Sequence, residues 1–155
     1  MSRSGYTNDG DNLAMWRGMV ASATRGKRGQ KFFRDLLGAF DAMPNRRLIA
    51  HELQQADGEV CAIGALGVAR GVDMAKIDPE CPEQVAPDFN IAECLAQEVV
   101  YMNDERFDYH WDRQTNTRIE YTPEERWEKM RAWVAEQIRV TPEEAGAVET
   151  PDNGS

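Results

Sequence analysis

An apolar stripe next to a basic cluster constrains the fold of this chain more than any other feature. Residues 23–43 read ATRGKRGQKFFRDLLGAFDAM. Four large apolar side chains stand in this stretch at relative positions 0, 3, 4 and 7, namely Phe33, Leu36, Leu37 and Phe40. A helix turns about every 3.6 residues, so all four fall on one face. The pattern predicts a buried helix over residues 30–43 that follows a break at 26–29 and ends before Pro44.

Five basic residues surround the start of this helix: Arg25, Lys27, Arg28, Lys31 and Arg34. The first N–H groups of a helix have no partner within the helix, and they favour an anion. Arginine can add bidentate contacts to a phosphate. We therefore expect these five residues to bind an anion or nucleic acid. The alternative is that they only balance helix dipoles and pair with acidic residues elsewhere.

The total composition is typical of a globular protein. The 155 residues fit one domain, and no run approaches the roughly 20 apolar residues of a membrane span. The first residues, MSRSGYTNDGDN, lack the apolar region of a secretory signal, so we predict a cytoplasmic protein with no membrane association. We expect a single helical domain over residues 9–139, a disordered segment 1–8 and a disordered acidic tail 140–155.

The charge is distributed unevenly along the chain. Residues 1–50 hold nine Lys/Arg and four Asp/Glu, a balance of +5, whereas residues 51–155 hold nine and twenty-three, a balance of −14. Such asymmetry suggests an acidic face that docks on a basic partner, or a basic face that holds an anion. Solubility alone is the other explanation.

Several further helices are predicted from caps and apolar spacing. A first helix begins at Asp9 or Asp11 and runs to about Thr24. The segment RRLIAHEL at residues 46–53 fits a strand or a helix, and helix is favoured. VCAIGALGVARG at residues 60–71 predicts a helix capped by Gly71, with interior glycines that let another helix approach closely.

The second half of the chain shows three more helix starts. Asp78 and Pro79 predict a short helix that Pro87 ends. NIAE at residues 90–93 reads as a capping box for a helix that ends near residue 103. TPEE at residues 122–125 combines an N-cap, a proline at the first helical position and a glutamate at the third.

Residues 106–121 follow a different pattern, because aromatic side chains alternate there with polar ones. The alternation and the turn-like stretch 112–117 predict a small, exposed β-hairpin. The residue types that anchor protein interfaces are concentrated in it, and we expect a partner-binding site at Phe107, Tyr109, Trp111 and Tyr121. One face of the hairpin should still pack on the domain.

The catalytic and metal-binding templates fail at particular residues. His51 and Glu52 begin a zinc-protease motif, but Gln55 stands where the second histidine is required. Cys61 with His51 could supply a nucleophile and a base, yet a cysteine within an apolar helix is typically inert. The three cysteines match neither a disulfide framework nor a metal site, so free, buried thiols are expected. We predict no metal, no cofactor and no enzymatic activity.

Several segments resemble a family of small phage- and prophage-encoded proteins with no assigned activity. The resemblance is carried by ASATRGKRGQKFFRDLL at 21–37, RLIAHEL at 47–53, VCAIGALGVARG at 60–71, YMNDE at 101–105 and ERWEKMRAWV at 125–134. It implies a phage context, in which proteins of this size are often non-catalytic modulators or inhibitors of host machinery such as defence systems. Residues 106–121 are longer and more aromatic here than in the family pattern.

These observations lead to one expectation for the fold and two for the function. The fold should be a nearly all-α single domain of five to six helices with a small β-hairpin, in which the helix at 30–43 packs against the one at 60–70. The function should be binding of a host or phage protein through the acidic and aromatic side. The alternative is binding of nucleic acid or a phosphate ligand through the basic cluster.

Overall fold

The computed structural model describes residues 10–139, and their side chains from residue 13 onward. It contains six α-helices and one antiparallel hairpin, which confirms the predicted fold class. The helices are α1 (Gly10–Arg25), α2 (Lys27–Ala42), α3 (Ala62–Arg70), α4 (Pro82–Asp88), α5 (Glu93–Tyr101) and α6 (Pro123–Gln137). The strands are β1 (Tyr109–Asp112) and β2 (Thr117–Glu120). A 3₁₀ turn spans Met74–Lys76, and a π-helical turn spans Met102–Arg106. The tails predicted at 1–8 and 140–155 lie outside the described residues.

Helix α2 lies at the centre of the core and contacts α1, α3 and α6. Phe33, Leu36 and Phe40 are fully buried, as the apolar spacing predicted, and Leu37 is half-buried. The helix begins three residues earlier than expected, so Gly29 lies within it. A side chain at Gly29 would collide with the backbone of α1 at Ala23. The glycine therefore allows the end of α1 to contact the start of α2.

The segment between α2 and α3 is not helical, so the helix favoured for residues 46–53 is wrong. Leu48 and Leu53 are buried, but residues 43–61 form no helix and only a single isolated bridge, between Gln54 and Val60. We call residues 43–61 the extended segment. The Ile49 N–H donates to the Val60 carbonyl, and the Cys61 N–H donates to the Leu53 carbonyl. These cross-segment bonds replace the local hydrogen bonds of a helix.

Helix α3 ends as predicted, at Gly71 in the left-handed conformation with φ 71°. It packs against α2, also as expected. The interior glycines, however, do not admit another helix. A side chain at Gly64 would collide with the Leu53 carbonyl, and one at Gly67 would press on the Met74 side chain. The neighbour at Gly64 is therefore the extended segment before α3.

The predicted starts of α4 and α5 are wrong. The Asp78 side chain accepts a hydrogen bond from the Glu80 N–H in a turn, and α4 begins later and continues through Pro87. Asn90 has φ 55° and follows the end of α4, where the Ile91 N–H donates to the Ala86 carbonyl. An asparagine in this conformation ends a helix, so it does not cap the next one. Helix α5 begins at Glu93 without a side-chain cap.

The capping box that opens α6 is present. The Thr122 side chain accepts from the Glu125 N–H, and the Glu125 carboxylate accepts from the Thr122 N–H. The hydrogen bond from the Thr122 N–H, together with one from the Thr122 side chain, holds the pKa of the Glu125 carboxyl below its ordinary value. Trp127, Met130 and Val134 form the apolar part of the buried face of this helix.

Replacing Gly64 with alanine tests the close approach of the extended segment to α3. We expect a loss of about 1 to 3 kcal/mol in the free energy of unfolding, because the added methyl must displace the Leu53 carbonyl. Gly38→Ala is the matched control, since its added methyl meets nothing within 4 Å. Removing a helical glycine there should stabilise by up to about 1 kcal/mol. Urea unfolding of both variants measures the difference, and equal effects would contradict the packing described.

Candidate functional site

The hairpin stands apart from the hydrophobic core. Strand β1 pairs with β2 so that Tyr109 faces Glu120 and Trp111 faces Arg118. Every strand residue is exposed except Asp112, which is half-buried. Neither face of the strands packs on the domain, but two of the four predicted aromatic residues of the hairpin, Phe107 and Tyr121, are buried or half-buried. The expected packing of the hairpin is thus limited to its two ends. A two-stranded hairpin without a packed face is marginally stable by itself.

One face of the hairpin presents two aromatic side chains to solvent. Tyr109 is 43% exposed and Trp111 is 54% exposed. The Arg118 guanidinium lies 4.1 Å from the centre of the Tyr109 ring and 3.3 Å from the Asp108 carboxylate. This cation–π contact contributes about 0.5 to 1 kcal/mol at an exposed site. It orients Tyr109 without covering it.

The opposite face of the hairpin exposes an apolar residue that the sequence analysis missed. Ile119 is 40% exposed and pairs with His110. The sequence TRIE of β2 could have indicated this, because neighbouring residues of a strand alternate between faces, so Ile119 and Arg118 lie on opposite faces. The exposed apolar side chains of the strands are therefore Tyr109, Trp111 and Ile119.

The other two predicted partner-binding residues lie at the base of the hairpin. Phe107 is buried in the core, which corrects its expected place on the binding surface. Its ring packs edge-on against Tyr121, with 6.3 Å between ring centres. Tyr121 is half-buried and also contacts His110 at 5.0 Å. These two aromatic residues attach the hairpin to the domain. Phe107 stands before β1, Tyr121 stands after β2, and both side chains pack inward.

All five residues of the predicted basic cluster are exposed, but several of them already form ion pairs or hydrogen bonds within the protein. Lys31 pairs with Asp35 at 2.9 Å, and Arg34 donates to the Arg139 carbonyl at 2.7 Å. Arg28 reaches the Asn90 side chain at 3.5 Å. Arg25 lies beside a separate cavity near α6. The cluster is thus spread around the start of α2 and does not converge on one point.

Lys27 and Arg28 line an open cavity of about 490 Å³ at the start of α2. The N-cap of this helix is Gly26, which supplies no side-chain cap, and the first turn carries no acidic residue. The helix start therefore offers backbone N–H groups beside two cations, an arrangement that suits a small anion. Anion binding by this cluster stays a prediction.

A buried aspartate holds His51 in an unusual backbone conformation. The Asp104 side chain is 2% exposed, and its Oδ1 accepts from the His51 N–H at 3.1 Å. The His51 ring is 72% exposed, with Nδ1 3.7 Å from the other carboxylate oxygen. His51 has φ 74°, a conformation that non-glycine residues rarely adopt. The contact with Asp104 explains how this conformation is held.

The π-helical turn connects this aspartate to a wider buried network. The Asn103 side chain accepts from the Ala62 N–H at 3.1 Å and donates to the Ile49 carbonyl at 2.9 Å. Arg126 on α6 donates to the carbonyls of Asn103 and Leu48, both at 3.0 Å. Burial lowers the pKa of the Arg126 guanidinium, while the nearby carboxylate of Asp104 opposes that shift. Sequence reasoning missed this network, because its members are far apart in the chain.

The thiols do not supply an activated nucleophile. The Cys61 sulfur is buried and accepts a hydrogen bond from the Gly64 N–H, so it caps α3. A hydrogen bond to Asp78 raises the pKa of the Cys81 thiol to about 11. Burial raises the pKa of Cys94 as well. All three cysteines are free, but Cys81 is only half-buried, whereas buried thiols were expected. Across residues 13–139, no group of three or more His, Cys, Asp or Glu side chains is placed to hold a metal ion.

Comparison of the chain with protein-family models, curated proteins and solved structures found no match. Within the described part of the chain, none of the helices combines the length and the hydropathy that a membrane crossing requires. The geometry of the hairpin and of the basic cluster therefore carries the functional argument.

Replacing Arg126 tests whether the buried network supports the fold. Arg126→Met leaves the Leu48 and Asn103 carbonyls without their donor and removes the charge that faces Asp104. We expect a loss of about 3 to 5 kcal/mol in the free energy of unfolding. Arg131→Met on the same helix breaks only an exposed pair with Asp41, and it should cost less than about 1 kcal/mol. If Arg126→Met lost as little unfolding free energy as Arg131→Met is expected to lose, the network would contribute little to stability.

Proposed function

We propose that this protein is a non-catalytic binding protein that engages a protein partner through the exposed hairpin. The observation that carries the proposal is the exposure of Tyr109, Trp111 and Ile119 on strands without a buried residue. In such a position, the two aromatic side chains contribute nothing to the stability of the core. Their burial is favourable when a partner removes them from water.

The composition of the hairpin fits the anatomy of a protein interface. Tyrosine, tryptophan and arginine are the residues that most often dominate binding energy, and Tyr109, Trp111 and Arg118 occupy one face. Arg118 holds the tyrosine ring in place, so less rotamer freedom is lost on binding. The face can act as a central anchor surrounded by polar residues.

The charges around the hairpin favour a partner with a basic rim. Between residues 107 and 121, three exposed or half-buried carboxylates outnumber the two cations Arg113 and Arg118. The carboxylates are those of Asp108, Asp112 and Glu120. Complementary charge would steer the encounter and suppress acidic partners.

The resemblance to phage- and prophage-encoded proteins supports a partner among host or phage proteins. We infer that the protein acts in the cytoplasm as a modulator or inhibitor of host machinery, such as a defence system. The exposed hairpin is the basis of the proposal, and the phage context narrows the choice of host lysate in which to search for the partner.

Truncating the two aromatic side chains tests the proposal. Tyr109→Ala combined with Trp111→Ala should abolish capture of the partner from a host lysate, because the central anchors are lost. The melting temperature should change by less than about 3 °C, since neither side chain is buried. Affinity purification and thermal unfolding of the same preparations measure the two effects.

The matched control is Val68→Ala, which truncates an exposed apolar side chain on α3. This variant should capture the same protein as the unaltered chain. Retention of the captured protein by the Tyr109/Trp111 variant would contradict the proposal. Equal losses of capture and melting temperature would assign the aromatic pair a structural role.

The second candidate function is binding of nucleic acid or a phosphate-bearing ligand at the start of α2. It is favoured by the cavity that Lys27 and Arg28 line beside an uncapped helix start. The acidic balance of residues 51–155 opposes a long nucleic acid unless the contact is confined to this end of the molecule.

Reversing two charges tests this second candidate. Lys27→Glu with Arg28→Glu should weaken binding of ATP or of a short single-stranded DNA by at least about tenfold, because two cations are replaced by anions. Lys76→Glu with Arg113→Glu makes the same change in net charge outside the cluster and serves as control. Fluorescence anisotropy at two salt concentrations gives the affinities. Equal weakening by both variants would leave the cluster without a specific role.

A further inference from the structure

The register of the hairpin determines which main-chain groups face outward. The Tyr121 N–H donates to the Asp108 carbonyl at 2.9 Å, so this pair is a hydrogen-bonded one. Hydrogen-bonded and non-hydrogen-bonded pairs alternate in an antiparallel ladder. Tyr109 with Glu120 and Trp111 with Arg118 are therefore the non-hydrogen-bonded pairs. Their N–H and C=O groups point away from the partner strand.

The outer edge of β1 is open. Among residues 10–139, neither Tyr109 nor Trp111 has a main-chain hydrogen bond to any group outside the hairpin. An open strand edge is a template for pairing, and proteins usually protect it with charged residues, proline, a bulge or a covering element. The edge of β2 carries charged Arg118 and Glu120 at its outward positions, whereas the edge of β1 carries two aromatic residues.

We propose that the edge of β1 binds an extended segment of the partner by strand addition. The inference rests on the proposed function and specifies its binding mode. Tyr109 and Trp111 would each offer one N–H and one C=O, which gives up to four main-chain hydrogen bonds. Main-chain pairing supplies affinity in this mode, and alternate side chains supply specificity.

The two faces of β1 specify the side chains of that segment. Residues paired with Tyr109 and Trp111 lie on the aromatic face, where apolar side chains pack best. The residue between them faces His110, and Asp112 lies on the same side of β1. The Asp108 carboxylate is already paired with Arg118. A lysine or arginine at that place lies diagonal to the Asp112 carboxylate. The segment should therefore read apolar, basic, apolar.

The test uses a display library of random twelve-residue peptides, selected on the full-length protein and counter-selected on the Tyr109→Ala/Trp111→Ala variant. We expect the enriched peptides to share the apolar, basic, apolar pattern. The two apolar residues of an enriched peptide pair with Tyr109 and Trp111. N-methylation at these two positions should weaken binding by about tenfold per hydrogen bond lost, whereas N-methylation at the basic position between them should not. Only a strand gives this alternation.

Amide hydrogen exchange of the protein provides the second measurement. On peptide binding, exchange of the Tyr109 and Trp111 amides should slow at least about tenfold, and that of Arg118 and Glu120 should stay unchanged. Protection of Arg118 and Glu120 instead, uniform sensitivity to N-methylation, or failure to enrich any hairpin-dependent peptide would overturn strand addition. The partner capture test is separate, so loss of strand addition with retained capture would leave the proposed function in place.

Discussion

The hydrogen bonds of Asn103, Asp104 and Arg126 are the interactions on which the rest of the structure depends. The segment between α2 and α3 has no regular secondary structure of its own, although its apolar residues Leu48 and Leu53 are buried. A buried segment of this kind must satisfy its backbone polar groups elsewhere. The π-helical turn and α6 provide the partners, since Asn103 and Asp104 bind the segment directly and Arg126 donates to Leu48. The three residues thereby join α3, α5 and α6 to the extended segment.

The same π-helical turn positions the hairpin. It ends at Arg106, directly before Phe107, which packs into the core and contacts Tyr121 on the far side of the hairpin. The two ends of the hairpin are thus fixed by buried groups, while its strands remain in solvent. Under the proposed function, this arrangement separates stability from recognition. The buried helical domain provides the stability, and the exposed strands provide the aromatic side chains and the open edge for the proposed contact.

The sequence predicted the elements whose signals are local. The stripe of α2, the capping box of Thr122 and the glycine cap of α3 involve residues within one or two turns of each other, so the pattern alone identifies them. The extended segment could not be predicted in this way, because its conformation depends on Asn103 and Arg126, which lie more than fifty positions away from the groups they bind. In the same way, alternation predicted the hairpin but could not tell that Phe107 turns inward while Tyr109 and Trp111 stay exposed. The basic cluster was visible in the sequence, but its spread around the start of α2 depends on contacts with Asp35, Asn90 and Arg139.

Residue-specific amide hydrogen exchange of the unaltered protein tests most directly whether the buried network is stable and the strands of the hairpin are only marginally stable. The Ala62 amide donates to Asn103 in the buried network, whereas the His110 and Ile119 amides belong to the exposed strands. We expect Ala62 to exchange only through global unfolding. His110 and Ile119 should exchange through local opening, at a free energy lower by about 2 kcal/mol or more. Equal protection of the three amides would contradict this expectation, because the strands would then be as firmly held as the core.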